Sequence, residues 1–275
     1  MSTGTRQHEE KQPTLWFCAN DDLPPDLTAT LAPQWLDVYE RETANGFLFE
    51  RDRRQYLVAH TFLRRVLALD VGLPESELVI RRSSRGRPFL RVPAGGLPCG
   101  GPGLDFNLSH TNGCNLLGIA HGSPIGVDVE RLDRDGRALR TITRTFTRTE
   151  QAWVAEAEQG MPRRRRVIRL WTLKEAYAKA RGLGLALPFD TFSFTLADDR
   201  GVTGFSPPGD DREGRWRFAE LEPVPDVLAA VAVGADDERD AALPLHHGFP
   251  WSRTEPRRIE LPRALGGGVE VTLSR

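Results

Sequence analysis

The 275-residue chain predicts an α+β fold built from two similar halves. Two long stretches, Arg53 to Leu69 and Arg163 to Arg181, carry apolar residues at helical spacing. Each closes near a Gly-Leu pair, Gly72-Leu73 and Gly184-Leu185, and a strand-like run follows each pair. The apolar fraction of 39% and charged fraction of 27% are those of an ordinary soluble globular protein. No strong sequence repeat accompanies the parallel between the halves.

In chain order, Met1 to Lys11 is polar and reads as a flexible tail. Leu15 to Ala19 is short and apolar and ends at Asn20-Asp21-Asp22, as a strand entering a turn would. In the first long helix Tyr56, Leu57, Leu63, Val66 and Leu67 form the apolar pattern, and Gly72 and Pro74 stop it. Glu77 to Arg82 reads as a strand, and the Pro/Gly-rich segment Pro93 to Gly103 as a surface loop. Leu116 to Ala120 and Ile125 to Glu130 read as a hairpin across His121-Gly122-Ser123-Pro124. Thr147 and Glu150 make a capping box for a helix through Gln159, and Gly160-Met161-Pro162 separates it from the second long helix. Strands are expected at Thr191 to Leu196, Arg215 to Leu221, Leu228 to Val233 and Val269 to Leu273. The expected division is a tail over 1–12, an N-terminal α+β subdomain over 13–124, a C-terminal one over 125–235, and an extension over 236–275.

Lys and Arg number 37 against 38 Asp and Glu, a net charge of −1, so no global field draws the chain to nucleic acid or a membrane. Cys18, Cys99 and Cys114 are too few and too scattered for a disulfide framework or a cysteine zinc site. No run approaches the ~18 apolar residues of a membrane helix. The expectation is a soluble, cytoplasmic monomer.

Two segments carry chemistry. In Gly126-Val127-Asp128-Val129-Glu130, strand periodicity puts Asp128 and Glu130 on one face and the valines on the other. Like charges two residues apart repel, and a cation of the Mg²⁺ type, which favours oxygen ligands and phosphate company, would turn that into attraction. In Trp171 to Lys179, Lys174, Glu175, Ala178 and Lys179 span an arc of about 140°, opposite Leu173, Ala176, Tyr177 and Ala180. A plus-minus-plus triplet therefore lies on one helix side. Ser109-His110 offers donors suited to phosphate oxygens, and Gly86-Arg87-Pro88 sets a guanidinium on a rigid turn. Arg163 to Arg166 reads first as a solvated run, with a docking patch for an acidic partner as the second reading. No Walker loop, Gly-x-Gly-x-x-Gly or Gly-x-Ser-x-Gly occurs. Taken singly, each pattern also suits an ordinary strand or a solvated helix face.

Together and in this order, Gly86-Arg87-Pro88, Phe106 to His110, Gly126 to Glu130, Phe146 to Glu150 and Trp171 to Leu185 resemble the Sfp-type 4′-phosphopantetheinyl transferases. That resemblance implies two α+β subdomains in a pseudo-twofold arrangement with coenzyme A between them. It implies transfer of phosphopantetheine from coenzyme A to a serine of an acyl or peptidyl carrier protein, releasing 3′,5′-ADP. It implies Asp128, Glu130 and Glu175 as ligands of Mg²⁺, with Glu175 or a water as base. Lys179 and Lys174 would hold the diphosphate, and Ser109, His110, Arg87 and Arg64 the phosphates of coenzyme A. Asp128, Glu175 and Lys179 are then the expected catalytic set. Arg87 and Leu183 stand where the family commonly has lysine, and the chain beyond Val233 has no evident counterpart. Two rival expectations are a degenerate homologue that binds without turnover and a Mg²⁺-dependent phosphoesterase.

Overall fold

A computed structural model describes residues 12–93, 96–97, 103–198, 201–212, 214–235, 241–251 and 256–266. The expected tail up to Lys11, the strand at Val269 to Leu273, Cys99 and most of the Pro93 to Gly103 loop lie outside the described residues. The first half runs β1 (Thr14–Ala19), α1 (Pro25–Trp35), α2 (Val38–Asn45), α3 (Glu50–Val71), β2 (Ile80–Arg82), β3 (Pro88–Leu90), β4 (Leu104–Thr111) and β5 (Cys114–His121). The second runs β6 (Ile125–Arg131), α4 (Gly136–Thr143), α5 (Arg148–Glu156), α6 (Met161–Ala180), β7 (Ser193–Ala197), β8 (Gly201–Ser206), β9 (Arg215–Val224) and β10 (Val227–Gly234).

The two successions are the same: one strand, three helices of which the last is longest, a small hairpin, then a strand pair. The sheets repeat it, because β1 pairs antiparallel with β5 and β5 with β4, as β6 does with β10 and β10 with β9. The expected α+β fold of two similar halves is therefore what forms. The segment expected as an extension adds β11 (Ala241–His247), β12 (Arg257–Leu261) and β13 (Leu265–Gly266). β11 lies parallel to β1 and carries β12 at its outer side, and β13 pairs with β9, so this segment completes both sheets. Its alternating Leu243 and Leu245 are buried between the sheets, which is why it packs there.

Three apolar layers separate four layers of structure. Val58, Phe62, Val66 and Leu67 of α3 pack on Phe106, Leu117 and Ile119 of the first sheet. Leu15, Phe17 and Leu116 face Val127, Val129, Ala229 and Val231 across the two sheets. Leu173, Ala176 and Tyr177 of α6 cover the outer face of the second sheet through Phe218, Ala230 and Ala232. Stacking helix, sheet, sheet and helix buries both faces of each sheet. Among the described residues no helix is long and apolar enough to cross a membrane.

Three readings are corrected and one omission, the third below, is filled. Leu116–Ala120 and Ile125–Glu130 do not pair with each other, since β5 belongs to the first sheet and β6 to the second. Pro124 has no N–H, and the outward N–H groups of Ile125 and Val127 are taken by the side chains of Asp105 (2.8 Å) and Asn107 (2.9 Å) on β4. The hairpin is instead β4–β5, across Asn112-Gly113 with Gly113 at φ 79°, the dipeptide that a tight primed turn favours. Second, α6 has no solvated charged face: from Val167 to Ala180 it is buried nearly all round, Lys174 and Glu175 included. Third, α2 and α4 begin at Asp37 and Asp135, which cap them; such short helices offer too few apolar positions for periodicity to show. Fourth, Arg163, Arg164 and Arg166 are not a solvated run, and Arg165 alone stays exposed, paired with Glu222 at the surface. Arg163 donates to the carbonyls of Ala155 and Ala157, Arg164 to those of Leu132 and Arg134, and Arg166 to Asp198, so they tie the start of α6 to its surroundings.

Gly126 decides the closest approach. A Cβ there would lie inside the contact distance of the Ala176 carbonyl oxygen and the Ala180 nitrogen, so only glycine lets α6 lie against β6 at this point. Gly126→Ala is therefore expected to destabilise the fold by at least about 2 kcal/mol, measured by urea unfolding. An unchanged midpoint would show that β6 and α6 separate without cost.

Candidate functional site

Three strands of sequence meet at one point. Strand periodicity sends Asp128 and Glu130 of β6 toward α6, opposite the buried Ile125, Val127 and Val129. Helical spacing of four residues puts Glu175 and Lys179 of α6 on the side facing β6. β4 supplies Asp105, Asn107, Ser109 and Thr111 from one face, and all four bond to β6: the first two to its N–H groups, Ser109 to Asp128 and Thr111 to Glu130.

The ammonium of Lys179 is the hub. It lies 2.5 Å from Asp128 Oδ1, 3.1 Å from Ser109 Oγ and 4.0 Å from Glu175 Oε2. Ser109 donates to the same Asp128 oxygen at 2.8 Å. Asp128 is 5% and Glu175 8% exposed, so the two carboxylates are nearly closed to water while Lys179 is half-buried and reaches solvent. Burial pushes the Glu175 carboxyl up to about 7, and the charge on Asp128 pushes the same way while Lys179 and Arg134 oppose it. Two oxygens in the cluster, Asp128 Oδ2 and Glu175 Oε1, are buried without any hydrogen-bond partner.

Those orphaned oxygens are the test of the expected metal. Unpaired buried carboxylate oxygens that repel each other suit a hard cation with oxygen ligands, so Asp128 and Glu175 fit Mg²⁺. Glu130 is instead held by Arg134 and Thr111. As the side chains stand, no group of three His, Cys, Asp or Glu among the described residues is arranged to hold a metal ion.

The remaining expected residues are placed elsewhere. His110 diverges from Ser109, as neighbours on a strand must, and is exposed at the mouth of a cavity of roughly 420 Å³ lined also by Glu40, Tyr56, His60, Arg81 and Arg82. Partial desolvation, with His60 and Lys179 nearby, holds its imidazole below the usual value. Lys174 is not in the site. It is fully buried, with its three donors on Glu150 Oε2 (2.9 Å) and the carbonyls of Phe189 and Phe192 (2.7 Å each), and burial pulls it down to about 8. Glu150 in turn accepts from the N–H groups of Thr147 and Phe194, so the pair locks α5, α6 and β7 together. Arg64 is not a phosphate contact either. Its guanidinium is fully buried beneath the cavity, on Glu40 (2.7 Å), Asp37 (3.1 Å) and the carbonyls of Glu75 and Leu78. Arg87 is engaged by Asp105 and the carbonyls of Lys179 and Ile125.

Sequence reading missed Arg134, although its place four residues after Glu130 was a signal. It also missed Asn107 and Asp105, which lie at period two with Ser109, and Arg81 and Arg82, which appeared only within the strand expected over Glu77 to Arg82. His60 left no local sign, because its role depends on stacking with Tyr56 at 4.0 Å and on Glu40 at 2.8 Å.

Comparison with known proteins covers most of the chain. Residues 124–233 match the family described as the 4′-phosphopantetheinyl transferase superfamily, and residues 23–120 match that described as 4′-phosphopantetheinyl transferase, N-terminal. A phosphopantetheinyl transferase of a Thraustochytrium species is 28% identical over 227 residues, covering 78% of this chain and 76% of that protein. The 4′-phosphopantetheinyl transferase HetI of a Nostoc species is 30% identical over 208 residues, covering 76% of this chain and 80% of HetI. A 4′-phosphopantetheinyl transferase of Bacillus subtilis is 28% identical over 207 residues, covering 72% and 87%.

Two outcomes follow from the geometry. A carboxyl raised in the folded state binds its proton more tightly there than when unfolded. Glu175 therefore costs the fold nothing below its unfolded value of 4.5, progressively more up to about 7, and its full penalty above. In metal-free buffer Glu175→Gln should thus stabilise by up to about 3 kcal/mol above pH 7 and by nothing below pH 4.5; a pH-independent difference would contradict the buried carboxylate. Lys174→Ala strands Glu150 without its counter-charge and should cost about 3–5 kcal/mol in urea unfolding, whereas a loss below about 1 kcal/mol would return Lys174 to the ligand-binding set.

Proposed function

The chain belongs to the 4′-phosphopantetheinyl transferase superfamily, and from that premise we propose that it moves the 4′-phosphopantetheine group of coenzyme A onto a serine of an acyl or peptidyl carrier protein. The observation that carries this reading is the junction of β4, β6 and α6, where Ser109, Asp128, Glu175 and Lys179 share one largely buried cluster. It lies at the seam of the two halves, where a ligand can contact both.

In the transfer, a bond forms between the carrier serine oxygen and the β-phosphorus of the coenzyme A diphosphate. The bond from that phosphorus to the bridging oxygen breaks, and 3′,5′-ADP leaves with its electron pair. The serine proton goes to Glu175 or, through water, to solvent. Burial raises the Glu175 carboxyl to about 7 while no cation is bound, so it can take the proton only from a position outside the metal's shell, and the water route serves when it is a ligand. Lys179 exchanges Asp128 for a diphosphate oxygen and stabilises charge that grows on the leaving group. Ser109 donates alongside it. His110, with Arg81 and Arg82 across the cavity, would take the phosphate on the nucleotide. Asp128 and Glu175, with Glu130 once freed from Arg134, would hold Mg²⁺, which when bound neutralises the diphosphate. Positioning of two charged reactants in a largely buried site supplies most of the remaining acceleration.

The test is incubation of the protein with coenzyme A, Mg²⁺ and several apo carrier proteins. A phosphopantetheine mass increase on the carrier with release of 3′,5′-ADP is expected. Tight coenzyme A binding with no product would favour a degenerate homologue, and hydrolysis of coenzyme A without carrier a phosphoesterase. Asp128→Ala and Glu175→Ala are each expected to keep the fold by circular dichroism and to lose at least about 100-fold in kcat. Near-normal rates for either at limiting Mg²⁺ would remove that residue from the catalytic set.

A further inference from the structure

Arg87 stands where the transferase reading expects a phosphate ligand, and its bonds say otherwise. It sits on the turn between β2 and β3, at a place where four segments converge. One terminal nitrogen donates to the carbonyl of Lys179 in the last turn of α6. The other donates to Asp105 Oδ2 on β4 at 2.6 Å and to the carbonyl of Ile125 at the start of β6 at 2.8 Å. The same Asp105 oxygen accepts the N–H of Ile125 at 2.8 Å. The backbone grips the turn from behind, with Arg87 N–H on Ser83 Oγ at 3.1 Å and Ser83 N–H on the Arg87 carbonyl at 2.8 Å.

We propose that Arg87 is a positioning residue for Lys179. Its guanidinium fixes the backbone of the residue whose ammonium must meet the diphosphate, and references it to β4 and β6 of the same seam. Three points support this. A cation at the C-terminus of α6 is favourable there, because unpaired carbonyls gather at that end. The planar fork sets its two terminal nitrogens on acceptors of α6, β4 and β6 in one rigid geometry, whereas a lysine ammonium is a point charge on a flexible stem with no fixed fork. Gly182, with φ 65°, lies against the Arg87 side chain, and its N–H shares the Lys179 carbonyl with the guanidinium at 2.9 Å, while Leu183 N–H closes the helix on the Ala178 carbonyl at 3.0 Å. Misplacing a reacting group by about 1 Å lowers rate by about 100-fold, and Arg87 is the only side chain among the described hydrogen bonds that joins the Lys179 carbonyl to both β4 and β6.

The functional half of this proposal rests on the transferase reading, so the experiment has one arm that needs no activity. R87K, R87Q, D105N and R87K/D105N are compared by hydrogen exchange at the Gly182 and Leu183 amides, by calorimetric titration of coenzyme A without carrier, and by kcat and KM. Expected are exchange at least tenfold faster at those two amides in every variant, coenzyme A affinity within about twofold of wild type, and kcat lower by tenfold or more. The double variant should be no worse than R87K, as it is when two side chains act as one unit. A tenfold loss of coenzyme A affinity in R87Q with normal D105N, or R87K with normal kcat and normal exchange, would overturn the proposal in favour of direct phosphate contact. Wild-type protein that transfers nothing would instead defeat the transferase reading, while the exchange arm still judges the strut. If R87Q does not fold, R87K and D105N make the same comparison.

Discussion

The contact between β6 and α6 at Gly126 is what the rest of the site depends on. Because position 126 has no side chain, the helix backbone lies directly on the strand at Ala176 and Ala180, and the residue two positions along β6 becomes a neighbour of Glu175 and Lys179, which directly precede those two alanines. Asp128, Glu175 and Lys179 are thereby forced into one small, largely buried volume. Three charges in such a volume cannot be indifferent to one another. Lys179 neutralises Asp128, Glu175 is pushed toward its protonated form, and two carboxylate oxygens are left without partners. That unfinished electrostatic balance is what supports the proposal that a charged ligand binds here.

The second constraint is the seam between the halves. β6 is an edge strand of its sheet, with outward N–H groups that would otherwise need another strand. Side chains of β4, the edge of the other sheet, satisfy them instead, through Asp105 and Asn107. The same β4 face then continues into Ser109 and Thr111, which reach Asp128 and Glu130. One period-two stripe thus performs both tasks, structural at one end and chemical at the other. The late strands β11 and β12 extend the first sheet beside β1, at the edge opposite β4.

Much of the charge that looks functional in this chain is structural. Arg64, Lys174 and the arginines from 163 to 166 all have satisfied, specific partners, most of them carbonyl oxygens or a single carboxylate. Buried cations of this kind are costly unless every donor is engaged. Lys174 meets that condition with three acceptors for three protons. The consequence is orientation: α5, α6 and the β7 region are held at fixed angles, so that Lys179, one further turn along α6, meets β6 at the right place.

The sequence by itself determined the α+β class, the long helices, the alternation that splits Asp128 and Glu130 from their valine neighbours, and the resemblance that rests on an ordered set of motifs. These are local properties, carried by periodicity along a single element. Which lysine faces the site was not local. Lys174 and Lys179 lie on the same arc of α6, and only the packing of different neighbours on its two sides, the 189–192 segment against one and β6 against the other, separates the cation buried among carbonyls from the one in the carboxylate cluster. The same holds for Arg64 and Arg87, and for β5 and β6, whose adjacency in the chain hides their membership of different sheets. Tertiary structure decided these because burial and hydrogen-bond partners belong to pairs of distant segments, and no window on one segment contains both members.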